Sequence, residues 1–186
     1  SSATCGNGVL DFLEGEVCDD GGVDGHDGCS RACQPEVVSW TLLDEGLPPR
    51  EYAALAYDAA RERVVQFGGH LLNGLRQFDT WESSASGWSE RWHRDLPEAR
   101  SHHALAYDAA RYRVVMFGGF DNSATYRNGE TWTWDGVAWT KLDPATSPPA
   151  RGDHAMAQSP VPGEVVMFGG ECDSGCGATL WSWNGT

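Results

Sequence analysis

The sequence predicts an all-β fold built from stacked four-stranded units, and three observations carry that prediction. The segment ALAYDAARERVVQFGG at 54–69 returns as ALAYDAARYRVVMFGG at 104–119 and, more altered, as AMAQSPVPGEVVMFGG at 155–170. Landmark residues keep one period. Phe67, Phe117 and Phe168 are 50 and 51 residues apart, as are Arg50, Arg100 and Arg151, while Trp81, Trp132 and Trp181 are 51 and 49 apart. Between the landmarks lie short β-branched and aromatic runs bounded by turn residues, with no long apolar stretch of 3.6-residue period. A period near fifty excludes leucine-rich and ankyrin arrays, and the missing helical periodicity excludes helical solenoids.

The elements follow in order within the second unit. An apolar run at 103–107 reads as the first strand, and Asp108-Ala-Ala-Arg111 as its turn. A β-branched strand at 113–117 ends at Gly118-Gly119, and a polar loop follows at 120–129. A third strand at 131–134 and a fourth at 138–142 flank Asp135-Gly136, a pair suited to a tight hairpin. Four short antiparallel strands cannot bury both faces alone, so each unit must stack on a neighbour. The paired glycines permit positive φ and close backbone approach, and the tryptophans fill the space between units. The recurrent Arg before each first strand is expected to pair with a carboxylate or with carbonyls between units.

With these landmarks the chain resembles the kelch family of β-propellers. The resemblance rests on the Arg-x-x-His-Ala start (Arg100, His103, Ala104; Arg151, His154, Ala155), the double glycine and the Trp pair of the last two strands. It covers residues 37–186. The first unit departs from it with Ala53 in place of the His, and the third replaces the Tyr-Asp turn with 158–162. The resemblance implies three four-stranded kelch-type blades, making an incomplete or assembled propeller. The segment 37–43 (VVSWTLL) matches a fourth strand, whereas the third unit ends where its own fourth strand is due. The count is therefore three blades in permuted order. Either further chain completes the propeller, or copies of the chain join by exchanging that strand.

Residues 1–36 differ in kind. They hold eight acidic residues against one basic, Arg31, together with Cys5, Cys18, Cys29 and Cys33 among Gly and Asp. An even number of cysteines in such stretches points to disulfides in an oxidising compartment, hence to a secreted or cell-surface protein. Cys172 and Cys176, close together in one loop, are expected to staple each other. The motifs Cys18-Asp-Asp-Gly and Asp27-Gly-Cys29-Ser, with the cysteine spacing, resemble the cysteine-rich repeat of secreted myxobacterial proteins, which is related in style to Notch-type calcium modules. That resemblance implies a small disulfide-stapled unit that binds calcium. Glu16, Asp19, Asp20, Asp24 and Asp27 are the candidate ligands, since calcium takes carboxylates and carbonyls on Gly-rich loops. A solvated acidic surface is the alternative. Four cysteines allow three pairings, of which nested Cys5–Cys33 and Cys18–Cys29 is the expected one.

Composition excludes several functions. The net charge of −14 argues against nucleic-acid binding, which needs clustered Lys and Arg. No apolar run approaches the roughly 20 residues of a membrane span. There is no Gly-x-Ser-x-Gly elbow, no His-Glu-x-x-His and no phosphate loop. His102, His103 and His154 are the best catalytic candidates, but two of them fall at one repeat position and are framework residues first. No catalytic residue is assigned, although some kelch propellers are copper-dependent sugar oxidases. Strands repeat whereas the loops at 70–77, 120–129 and 171–178 vary, so those loops are the expected binding surface for a protein or glycan ligand. His70, Phe120, Asp121, Tyr126 and Arg127 are their candidate contact residues, with Phe120, Asp121, Tyr126 and Arg127 expected to be exposed. The function expected is a non-catalytic binding or adhesion module. The alternative is a structural subunit of an extracellular assembly.

Overall fold

The computed structural model describes residues 18, 29, 34–35, 39–42, 46–122, 127–173, 176 and 178–185. The candidate calcium ligands Glu16, Asp19, Asp20, Asp24 and Asp27 lie outside the described residues, as do Cys5, Cys33 and Tyr126. The chain divides into two compact units, Ser1–Leu43 and Asp44–Thr186.

In the first unit Cys18 and Cys29 form a disulfide with Cα atoms 5.8 Å apart. Cys29 is buried and pairs through its backbone with Pro35. Of the segment expected as a fourth-type strand, the described residues 39–42 form no strand, and Trp40 and Leu42 are exposed. An extended segment becomes a strand only when another strand satisfies its N–H and C=O groups, and 39–42 have no such partner among the described residues.

The second unit is all-β, and its strands are β1 (Arg50–Glu51), β2 (Ala54–Asp58), β3 (Arg63–Phe67), β4 (His70–Leu71), β5 (Thr80–Ser84), β6 (Gly87–Arg91), β7 (Ala104–Asp108), β8 (Arg113–Phe117), β9 (Thr131–Trp134), β10 (Trp139–Leu142), β11 (Gly152–Gln158), β12 (Val165–Glu171) and β13 (Leu180–Trp183). They form three antiparallel meanders, β2-β3-β5-β6, β7-β8-β9-β10 and β11-β12-β13, with β1 paired to β4 as a short ribbon. The register repeats from sheet to sheet: Ala54 faces Phe67, Ala104 faces Phe117 and Ala155 faces Phe168. The repeated Asp-Ala-Ala-Arg turn has a local cause. Asp58 Oδ1 accepts the N–H groups of Ala60 and Arg61, and Asp108 Oδ1 those of Ala110 and Arg111. In the third sheet Ser159 Oγ caps the replacement turn by accepting from Val161 N–H.

The sheets stack through their first strands, with β7 against β2 on one side and against β11 on the other. This is a blade-like arrangement. Between the first and second sheets lie Ala54, Ala56, Val65, Phe67, Leu105, Tyr107, Val114, Met116, Trp134 and Trp139. Trp134 donates to Glu82 Oε1 at 2.9 Å and Trp139 to Thr80 Oγ1 at 2.8 Å, so both indoles close the seam with satisfied N–H groups. A smaller cluster of Ala106, Val115 and Val165, with Met156 and Trp183, joins the second sheet to the third.

The glycine pairs allow this close stacking. Gly68 and Gly118 have φ of 58° and 69°. A Cβ on Gly118 would stand 2.4 Å from the Arg151 carbonyl oxygen, and one on Gly68 would stand 2.5 Å from that of Arg100. That carbonyl is itself needed, since it accepts the N–H of the second glycine of the preceding pair. In the third sheet the equivalent Gly169 meets nothing within 4 Å.

The two outer sheets expose faces that the middle sheet buries. Leu55 and Tyr57 are 58% and 56% exposed, whereas their counterparts Leu105 and Tyr107 are 5% and 6% exposed. At the other end Phe168 and Leu180 are exposed while Phe117 and Thr131 are buried.

Candidate ligand-binding face

The conserved spacing of the repeat places three different side chains at one position. Tyr52, His102 and Asp153 each stand two residues after the repeat Arg. All three have left-handed backbone, with φ of 55°, 60° and 57°. For a residue with a Cβ that conformation costs about 1–2 kcal/mol, so the surrounding bonds must hold it. They do so as a ladder: His102 N–H donates to the Tyr52 carbonyl at 3.0 Å, and Asp153 N–H donates to the His102 carbonyl at 2.9 Å.

Side chains from neighbouring loops converge on this ladder. The Tyr52 and His102 rings stack with centroids 3.9 Å apart and planes inclined by 16°. His70, at the start of β4, meets both rings edge-on. Ser101 Oγ lies 3.1 Å from His70 Nε2 and 2.9 Å from His102 Nδ1, and accepts from Arg76 Nε at 3.2 Å. Arg76 also donates to Asn122 Oδ1, tying the loop after β4 to the loop after β8. Asp153 Oδ1 stands 4.0 Å from His102 Nε2. Burial, the Arg76 cation and the His102 ring lower the pKa of His70. Burial first, then Arg76, lowers that of His102 despite Asp153. Both imidazoles are therefore neutral at pH 7, and with one nitrogen of each held at Ser101 Oγ, His70 Nδ1 and His102 Nε2 are the ones left to a ligand.

The face presents a half-exposed aromatic ring, neutral imidazoles, a guanidinium and a carboxylate on rigid backbone. It does not present an accessible nucleophile, because Ser101 is fully buried beneath the two imidazoles. Among the described residues no three His, Cys, Asp or Glu side chains gather as a metal site, and no helix is long and apolar enough to cross a membrane.

Of the expected contact residues, His70 lies on this face, and others sit differently from expectation. Phe120 and Asp121, expected exposed, are only 4% and 2% exposed. Phe120 lies beneath the His102 ring and so close to Gly152 that a Cβ there would stand 2.5 Å from it. Asp121 accepts from Asn128 Nδ2 at 2.7 Å. Neither is exposed, because these contacts cover both side chains. Arg127 is mostly covered as well, bonded to Glu171 and Asp173 across to the third sheet, and the Cys172–Cys176 disulfide closes that loop.

His103 and His154 are framework residues. Each ring is buried and packs edge-on to the Phe that ends the second strand of the preceding sheet, Phe67 and Phe117. Neither ring nitrogen makes a full hydrogen bond, although each leans toward the carbonyl of that Phe. Burial, with the nearby repeat Arg, pushes their pKa values down to about 3 and about 4. The repeat Arg finds partners of the expected kinds, carbonyls and a carboxylate, but not between units. They lie within its own unit, where Arg100 binds the carbonyls of Glu98 and Gly118 and the carboxylate of Glu130.

Tyr52, Arg76, Ser101 and Asp153 were not singled out from sequence. The signal was a position that varies inside an otherwise regular motif, Arg-x-Tyr, Arg-x-His and Arg-x-Asp. The chain matches no family model and no curated protein.

Proposed function

We propose that the chain is a secreted or cell-surface, non-catalytic binding module of the kelch-propeller type, whose Tyr52–His102–Asp153 face takes a protein or glycan ligand. One observation carries this reading: three different non-glycine residues hold strained left-handed backbone side by side at one repeat position. Such strain clusters at ligand-binding sites, although this repeat also carries it in the hairpin turns at Glu62 and Tyr112. The half-exposed Tyr52 ring suits a sugar face or an apolar side chain, and Leu72 and Leu75 in the adjoining loop are exposed as well. Neutral imidazoles and Asp153 suit hydroxyl or amide groups. The buried Ser101 hydroxyl favours recognition over covalent chemistry. The disulfides among the described residues, Cys18–Cys29 and Cys172–Cys176, favour an oxidising location. We further read the acidic first unit as calcium-binding.

The test is a screen against glycans and extracellular proteins, repeated with Tyr52→Ala and Asp153→Ala on the full chain. Each substitution should weaken the ligand found by tenfold or more. Unchanged affinity in both variants would overturn the assignment of the face.

A second reading is favoured by a separate observation. Among the described residues the third sheet has three strands, and β13 leaves one edge unpaired beside exposed Phe168 and Leu180. Such an edge accepts a strand from another chain, as a structural subunit would use it. Solution mass by light scattering tests it, and a monomer across the concentration range removes it.

A further inference from the structure

The three repeat arginines are treated alike by the fold except in one respect. Arg50, Arg100 and Arg151 each direct Nε to the carbonyl two residues earlier and Nη1 to the carbonyl of the first paired glycine. In the first two sheets a carboxylate completes the set. Asp79 Oδ2 accepts from Arg50 Nη2 at 3.0 Å and from Trp81 Nε1 at 2.7 Å. Glu130 Oε2 accepts from Arg100 Nη2 at 2.7 Å and from Trp132 Nε1 at 2.9 Å. One oxygen thus bridges a guanidinium and an indole in both places.

In the third sheet Thr179 stands where Asp79 and Glu130 stand. Its hydroxyl is 3.3 Å from Arg151 Nη1 and itself donates to the Cys176 carbonyl at 2.7 Å. The two donors that share the carboxylate oxygen elsewhere, Arg151 Nη2 and Trp181 Nε1, are both buried and have no hydrogen-bond partner among the described residues. Arg151 is fully buried and forms no ion pair among the described residues. A buried guanidinium is always charged, and leaving it without an anion is costly. Two unrelated side chains therefore lack the same acceptor, and the repeats show which acceptor fits. Trp181 also lines a cavity of about 430 Å³ between the second and third sheets, with Thr131, Met167 and Trp183 among its walls. Trp181 lies on β13, the last strand of the β11-β12-β13 sheet.

We infer that Arg151 and Trp181 form a receiving site for one carboxylate group brought from outside the chain segment, which bridges Arg151 Nη2 and Trp181 Nε1 as Asp79 and Glu130 bridge their counterparts. The site is separate from the Tyr52–His102–Asp153 face and does not depend on its role. The carboxylate comes either from a small organic acid or from an Asp or Glu side chain of another polypeptide.

The experiment follows the Trp181 indole N–H resonance of the full chain, assigned by its loss in Trp181→Phe. Three probes are titrated at constant ionic strength: acetate, the neutral isostere acetamide, and acetyl-Gly-Glu-Gly-amide, whose only carboxylate is the Glu side chain. The expected result is a saturable shift with a carboxylate probe, none with acetamide, and loss of the response in Thr179→Asp. That variant restores the residue type of the first sheet, so it keeps the fold, and it should raise Tm by several degrees. A peptide that acts at much lower concentration than acetate identifies a polypeptide as the source; comparable or stronger acetate binding identifies a small acid. No saturable carboxylate shift overturns the site, and so does a shift that persists in Thr179→Asp.

Discussion

Acidification from pH 7 to pH 5 should weaken this fold through two residues, His103 and His154. Both are buried, at 6% and 7% exposure, and burial holds their pKa values down to about 3 and about 4. In the unfolded chain a histidine titrates near 6.5. As pH falls through 6.5 the unfolded chain takes up two protons that the native state refuses, so the stability these groups contribute is full above pH 6.5. It is lost steadily below that, levelling only near pH 3–4. With about 1.36 kcal/mol per pKa unit, each histidine costs ~2 kcal/mol at pH 5 and the pair ~4 kcal/mol. A typical domain is stable by only about 5–15 kcal/mol, so this loss is large. The assay is urea unfolding at pH 7, 6 and 5 for the native chain and for His103→Ala/His154→Ala. Alanine is the residue the first repeat already has there, at Ala53. The double variant should start less stable but lose ~4 kcal/mol less between pH 7 and 5. Subtraction removes the shared contribution of His70 and His102. Glu130 does not interfere. Burial opposes its charge, but Lys141, Arg100 and Trp132 donate to it and hold it at about 2, so its stabilisation fades only below pH 4.5. Parallel stability curves for the two proteins would refute the reasoning.

Glu82 is 2% exposed and accepts from Arg61, Arg91 and Trp134, so Glu82→Gln should cost about 3 kcal/mol by urea unfolding, because it leaves buried cations short of charge. Gly118→Ala and Gly169→Ala share φ near 70°, yet only the first sets a Cβ 2.4 Å from a carbonyl. The first should lower Tm far more than the second, and equal losses would mean that backbone conformation alone matters. For the acidic first unit, EDTA should lower both its melting temperature and its protease resistance, and calcium should restore them; no change in either removes the calcium reading. Reduction of Cys172–Cys176 should loosen the loop bonded by Arg127 and raise amide exchange at Glu171 and Asp173, with little change in β12.

Much of the architecture is local and so was legible in the chain. The Asp108 turn, the β-branched run ending at Phe117, and the glycine pair each act over a few residues, and their fifty-residue recurrence declares stacked sheets. The strand expected at 131–134 is β9 of the structure. Residues 37–43 show the limit, because a strand-like composition does not supply a partner edge, and 39–42 are not in a sheet. Exposure was the other limit. Phe120 and Asp121 look like surface loop residues, but the close approach of Gly152 and the amide of Asn128 bury them.

The sequence by itself determined the repeat, the strand order and the identity of the repeat Arg, because periodicity and turn chemistry are properties of neighbouring residues. Only the tertiary structure decided which side chains meet. It brought Tyr52, His102 and Asp153 into one row from positions fifty residues apart, and it left Arg151 and Trp181 facing the place where Asp79 and Glu130 serve their own repeats. Contacts across such separations depend on how sheets stack, and no short-range rule carries that information.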